Sequence, residues 1–302
     1  MPAPFPNFAE TVTACTPTVA QALLPFPQYC NNITGLDENQ GSSTYHAFQL
    51  KAERRFRKGL WALLSYTNSK LITNADNTEN IFNPSYFSPF EIGRNRSLAI
   101  EDVPQALNIA STYELPLGRG KPWLNQGVAS AILGGWALNG VYRRQSGIPF
   151  QISSSFCNVP AQLNNFCSPA LLAGASPYLQ SPTHFDPTQP VLNVNSFEPF
   201  SSFNFYTGAG PRVQNFRQPG YSDFDIGLEK SIQITERFKF QLRGDAFNIF
   251  NQHHFNNVGT FLLSGGTGGS AFNTDVASPD FGNWNGVVTS PRNIQVSARI
   301  SF

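Results

Sequence analysis

Apolar and polar residues alternate without exception over the last ten positions of the chain. Ile294, Val296, Ala298, Ile300 and Phe302 share one parity; Asn293, Gln295, Ser297, Arg299 and Ser301 share the other. Successive strand side chains point to opposite faces, so 293–302 predicts a strand with one wholly apolar side. The same period of two recurs upstream. Residues 44–56 place Phe48, Leu50, Ala52 and Phe56 opposite Gln49, Lys51, Glu53 and Arg55. After Arg57-Lys58-Gly59, residues 60–70 resume with Leu60, Ala62, Leu64 and Tyr66 in phase. Residues 106–115 align Leu107, Ile109, Tyr113 and Leu115, and 136–145 align Trp136, Leu138, Gly140 and Tyr142. In 223–234, Phe224, Ile226, Leu228, Ile232 and Ile234 oppose Asp225, Glu229 and Gln233. Lys230 interrupts that apolar row and is expected to snorkel towards an interface. Residues 238–248 set Phe238, Phe240, Leu242 and Ala246 against Lys239, Gln241, Arg243 and Asp245.

The connections alternate in size. The turns near 57–59 and 235–237 are tight and 116–135 is moderate, whereas 71–105, 146–222 and 249–291 are long and polar. Soluble domains seldom carry loops beyond roughly 12–15 residues without structure of their own. Outer-membrane barrels do so systematically, with short periplasmic turns, long extracellular loops and tilted strands of about 9–11 residues. The expected fold class is therefore all-β: an antiparallel transmembrane β-barrel portion of about 7–9 strands, an open curved sheet if alone. Strand parity then puts Phe302 at the periplasmic side. It also divides the chain into an extracellular loop segment, 1–43, and a C-terminal part of a barrel, 44–302.

Composition agrees. Charged residues are 13% of the chain, against roughly 25% in an ordinary soluble domain. Twenty-seven Phe against one Met, with 24 Gly and 23 Pro, favour strands and irregular connections over helices. A net charge of +1 offers no field for nucleic acid. No run of apolar residues approaches the length of a membrane-spanning helix. The opening Met-Pro-Ala-Pro-Phe-Pro lacks a basic region followed by an apolar one, so an export signal is expected to lie upstream if the chain is exported. Cys15 with Cys30, and Cys157 with Cys167, form two local pairs in Pro/Asn/Ser-rich segments. Two disulfides clipping surface loops are expected, with free thiols as the alternative.

Candidate chemistry is sparse. Glu53 with Arg55 and Arg243 with Asp245 share strand faces and read as a polar lumen wall. His46, His184, His253 and His254 stand in no Ser/His/Asp motif, so no catalytic residue is assigned and no enzyme is expected. The adjacent His253 and His254 point oppositely if in a strand, and no metal or cofactor site is assigned. Gly265 to Ser270 is Gly-rich but lacks the Lys-Ser/Thr of a phosphate loop and reads as a loop tip. Tyr45, Trp61, Tyr66, Tyr113, Trp136 and Tyr142 are expected to form a membrane–water aromatic belt.

Four stretches, in order, resemble the C-terminal part of TonB-dependent receptors of the Oar-like group: "STYHAFQLKAERRFRKGLWALLSYTNSK", "YELPLGRGK…GGWALNGVYRRQSGIPF", "PGYSDFDIGLEKSIQITERFKFQLRGDAFNIFNQHHF" and "PRNIQVSARISF". The resemblance implies the outer membrane of a Gram-negative cell and a barrel of about 22 strands plugged by an N-terminal domain. It implies outer-membrane lipid as surroundings, and an N-terminal barrel and plug absent from this sequence as partners. TonB would be reached only through that absent part. It also implies that the barrel-assembly machinery reads the terminal strand, so Ile294, Val296, Ala298, Ile300 and Phe302 are an expected assembly signal. A surface-adhesion or structural barrel without transport is the alternative function, and an outer-membrane hydrolase a more distant one. No ligand is named.

Overall fold

The computed structural model describes residues 41–74, 92–157, 167–202, 210–256, 272–285, 287–288 and 290–302, together with 6–7, 10 and 26. Seven long or medium strands form one antiparallel meander: β1 (Ser43–Arg57), β2 (Leu60–Thr73), β4 (Gln105–Glu114), β5 (Trp136–Gln145), β6 (Tyr221–Gln233), β7 (Lys239–Phe247) and β10 (Asn293–Ser301). The two-residue β3 (Ser97–Leu98) pairs with the end of β2, making eight strands, and β8 (Phe255–Asn256) pairs with β9 (Val287–Val288) in a separate ribbon. The sheet is open: among the described residues β1 pairs only with β2, and β10 only with β7. All seven alternating segments form strands close to their expected bounds. The short β3, β8 and β9 carry too few residues for a period to show.

Register carries the apolar parity across the sheet except at a bulge between Arg54 and Arg57, where Arg57 rather than the expected Phe56 comes opposite Leu60. Leu50 faces Tyr66, Tyr66 faces Leu107, Ile109 faces Tyr142 and Tyr142 faces Phe224. Ile226 faces Ala246, which faces Ile294. A slip of one residue anywhere would turn every later apolar row to the other side, so the pattern itself fixes the register. Of the expected aromatic belt, Tyr66, Tyr113, Trp136 and Tyr142 share this face. Tyr45 and Trp61 do not: Trp61 pairs with Thr112 and Tyr45 with Leu71, both on the polar parity.

The tight turns after β1 and β6 and the 115–135 connection lie at one end of the sheet, as does Phe302, whose ring is 6.3 Å from that of Phe238. The connection holds a short helix, α1 (Gly127–Leu133), which strand periodicity could not reveal. The described parts of the long connections lie at the other end and are not structureless. They fold on one another around Phe150, Ile152, Cys167, Val191, Leu192, Phe197, Phe272, Val276 and Phe281, all buried. Phe216, Phe185, Tyr178 and Trp284 pack against this core. Six of the 27 Phe therefore serve this loop cap. No helix among the described residues is long and apolar enough to cross a membrane.

Candidate functional site

Three surfaces follow from this arrangement: an apolar sheet face, a polar sheet face and the loop cap. Phe48, Leu50, Leu138, Leu228, Ile232, Leu242, Ile294, Val296 and Ile300 all stand exposed on the apolar face, Val296 at 72%. Such a contiguous patch is far beyond what a water-soluble monomer presents. The expected assembly-signal residues occupy its outermost strand. Ile294, Val296, Ala298 and Ile300 lie on β10 opposite Ala246, Gly244, Leu242 and Phe240, and Phe302 beyond them is 94% exposed.

The polar face is organised around β5, β6 and β7. Arg243 donates through Nε to both carboxylate oxygens of Asp245, at 2.9 and 2.8 Å, two residues along the same face. Gly227 of β6 sits directly between Asn139 and Asp245 in register. A Cβ at Gly227 would approach Asp245 Oδ1 to 2.5 Å and Arg243 Nη2 to 3.7 Å. The glycine thus leaves the space the ion pair fills. Beside it Thr112 Oγ1 donates to Asn139 Oδ1 at 2.9 Å, and Asn248 N donates to Asp225 Oδ1 at 3.0 Å. The expected Arg243–Asp245 pair is present, and its neighbours, which include Glu229 opposite Arg243, are polar and charged groups suited to a water-lined wall.

Rings hold the cap together. Phe150 lies 5.2 Å from Phe216 and 5.7 Å from Phe272; Phe197 lies 5.6 Å from Phe281, and Phe185 lies 5.4 Å from Phe272. Each buried Phe contributes about 1.5–3 kcal/mol by removal from water, with tilted and edge contacts adding to this. Gly282, at φ 79°, crosses the backbone of Leu192 so closely that a Cβ would lie 2.7 Å from its N and O. That crossing lets Val191 N donate to Gly282 O at 2.9 Å, joining the two long connections. Cys157 and Cys167 are disulfide-bonded with Cα atoms 5.6 Å apart, one of the two expected pairs; Cys15, Cys30 and Gly265 to Ser270 lie outside the described residues.

A polar clamp fastens the cap to the sheet rim. Asp102 is buried and accepts from Leu71 N at 2.6 Å through Oδ1 and from Arg217 Nη2 at 2.6 Å through Oδ2. Arg217 Nη1 also donates to Asp102 O at 2.7 Å and Gly147 O at 3.3 Å. Tyr178 Oη donates to Arg217 O at 2.7 Å, and burial pushes its phenol above the usual range against the lowering effect of Arg217. On the cap, burial raises the Asp275 carboxyl, but hydrogen bonds from Ser155 and from Ala277 N together outweigh this and hold it below the usual carboxylate range. Among the described residues no group of His, Cys, Asp and Glu is placed to hold a metal.

An exposed apolar face backed by a polar one, with tight turns at one end and a folded cap at the other, is the cross-section of a membrane barrel wall. A family model for the outer membrane beta barrel domain matches residues 2–295. The chain belongs to that outer-membrane β-barrel family. Neither the curated proteins nor the solved structures gave a match. In an outer-membrane barrel the apolar face meets lipid, the polar face lines the lumen, and the short turns mark the periplasmic end. The cell outer membrane is accordingly where this barrel domain resides. Its lipid-facing wall and terminal strand were legible as sequence. The Asp102–Arg217 clamp was not, because residues far apart in the chain make it and neither stands in a periodic segment.

A further expectation is corrected. Lys230 does not snorkel to an aqueous interface. It lies in the lipid-facing row, in register with Trp136 and Leu242, yet is only 6% exposed. Its Nζ donates to the carbonyl oxygens of Ala131 at 2.9 Å and Ile132 at 2.8 Å, and also to that of Gly134. These acceptors are the open C-terminal end of α1, where carbonyls lack helical partners and the helix dipole favours a cation. The ammonium also lies 5.4 Å from the Trp136 ring centre. The helix end supplies what water would have supplied.

Proposed function

We propose that this chain forms the C-terminal wall and surface loops of a TonB-dependent receptor or transporter of the Oar-like group. The observation that carries the reading is the pair of open edges on a sheet with a lipid face and a lumen face. Unpaired strand edges cannot face lipid, where unsatisfied backbone groups cost several kcal/mol each. In this reading the wall continues through further strands, and plugged barrels use about 22. In this reading an N-terminal barrel continues from β1 and closes onto β10. A plug fills the lumen beside the Arg243–Asp245 wall, and TonB is engaged through the plug. The ordered sequence stretches that resemble this group support it.

The terminal strand carries a second role within the same proposal. Ile294, Val296, Ala298, Ile300 and Phe302 form an apolar strand with one open edge, suited to recognition by β-augmentation at the barrel-assembly machinery. No enzymatic activity is proposed. The folded cap favours a second reading, a surface-adhesion barrel, because a rigid loop platform serves binding without transport. Binding of a purified TonB periplasmic domain to outer membranes holding the full parent protein separates the two. Retention of the parent is expected. A parent that assembles yet never binds TonB would refute transport and leave adhesion.

A further inference from the structure

We propose that the periplasmic 123–136 segment is a membrane-dipping foot, seated in the phospholipid leaflet at the short-turn end of the barrel. Two independent observations place it there. First, α1 is pinned over the lipid-facing side of the wall. Lys230 rises from the apolar row of β6 to cap the helix end, and Trp136 Nε1 donates to Ile132 O at 3.2 Å. Second, the segment turns its apolar side chains away from the wall. Trp123 is 64% exposed, Val128 75% and Ile132 63%, with Leu124 and Leu133 also exposed, whereas Ser130 is buried. Val128 and Ile132 stand one turn apart on one side of the helix.

The occupant follows from continuity. The foot projects from the face that the family places against lipid, and its anchor, Lys230, lies in that face. An amphipathic segment at such a site buries its apolar side chains at the boundary between headgroups and acyl chains, with Trp at headgroup depth. The Lys230 contact also explains why a cation is tolerated in a lipid-facing row, since the helix removes it from hydrocarbon. A helix turned inward would have buried Val128 and Ile132 and left Lys230 uncovered. The inference rests on the lipid-facing wall and is independent of any role for TonB.

Benzoylphenylalanine placed at position 128 or 132, in the full parent protein in outer membranes, tests it by photo-crosslinking and mass spectrometry of the adducts. Position 296 on β10 serves as the lipid-facing reference and exposed Gln126 as the polar reference in the same segment. Phospholipid adducts at 128 and 132 should match those at 296 and exceed those at 126 by roughly fivefold. Labelling of 296 without 128 or 132, or adducts from 128 to protein, would overturn the foot while leaving the wall intact. Absence of lipid adducts at 296 as well would overturn the wall and the foot together. Lys230→Met gives a second reading: the wall stays apolar, so adducts at 296 persist, while those at 132 fall as the helix end comes loose. Unchanged labelling at 132 in this variant would overturn the anchoring role of Lys230.

Discussion

Removing the Asp102 carboxylate should loosen the loop cap without unfolding the sheet. The carboxylate accepts two short bonds at 2.6 Å, one from the β2 backbone at Leu71 and one from the Arg217 guanidinium. Asp102 itself is buried and Arg217 is partly so. Charge-assisted bonds of this kind contribute about 1.5–3 kcal/mol each, and deleting one partner of a buried pair costs about 3–5 kcal/mol. Arg217 would keep its bonds to the Asp102 and Gly147 carbonyls, which moderates the loss. Asp102→Ala is therefore expected to destabilise the cap by about 3 kcal/mol, the low end of that range. Hydrogen exchange on the detergent-solubilised protein provides the assay. Amides bonded only through the cap, such as Val191 to Gly282 O and Gln214 to Phe150 O, report cap opening. Their exchange should accelerate roughly a hundredfold, since each 1.4 kcal/mol is a factor of ten. Amides in the β6–β7 ladder should be unaffected. A double-mutant cycle with Arg217→Met should return a coupling of about 2 kcal/mol. Unchanged cap exchange in Asp102→Ala would refute the clamp, and equal acceleration in the ladder would refute the separate stability of the cap.

Four further outcomes are expected. Gly227→Leu should displace the Arg243–Asp245 pair and destabilise the wall by about 1–3 kcal/mol, read as a lower temperature for loss of heat-modifiable mobility, whereas Gly244→Ala, with no atom near its Cβ, should be mild. Cys157→Ser with Cys167→Ser should cost the cap about 2–3 kcal/mol, the expectation for a short closed loop, and wild-type protein under reductant should show the same faster exchange. Because the folded Asp275 carboxyl is held below its unfolded value, it contributes stability above about pH 4 that is lost as pH falls through the folded value; pepsin cleavage of the cap should rise over that window, and less steeply in Asp275→Asn. If the terminal strand is the proposed assembly signal, deletion of Phe302, or Phe302→Asp, should impair insertion into outer membranes at equal synthesis and export; unchanged insertion would leave Phe302 as ordinary surface.

The wall was legible because its two solvents impose a local code. Lipid on one side and water on the other demand a period of two, and a segment such as 293–302 reveals its faces without reference to any partner. Register followed almost automatically, since Leu50, Tyr66, Ile109, Tyr142 and Phe224 must share one side for each strand to meet lipid correctly. The cap obeys no such code. Its core joins Phe150 and Phe216 from one long connection to Phe272 and Phe281 from another, and nothing periodic links those positions. The Asp102–Arg217 clamp is likewise a pair of isolated charges in loop sequence until the fold brings them together.

Lys230 shows how a break in the code can itself be informative. A cation in an otherwise apolar row costs as much as a few kcal/mol in mid-bilayer and little near an interface. Its position on the short-turn half of β6 is therefore consistent with snorkelling, and nothing within that strand distinguishes snorkelling from capping. The distinguishing feature lies elsewhere in sequence. Residues 127–133 are apolar or small without strict alternation, and they end in Gly134-Gly135 immediately before Trp136, the residue that pairs with Lys230. A helix ending at glycines next to the cross-strand partner of a buried lysine has unsatisfied carbonyls and a negative dipole end where the ammonium needs acceptors. Each irregularity resolves the other: the lysine removes the helix end from solvent competition, and the helix end removes the lysine from lipid. In an outer-membrane wall, a charge out of phase near a periplasmic turn should therefore be read together with the turn beside it. Here that pairing converts an apparent defect of the lipid face into the anchor of the 123–136 segment.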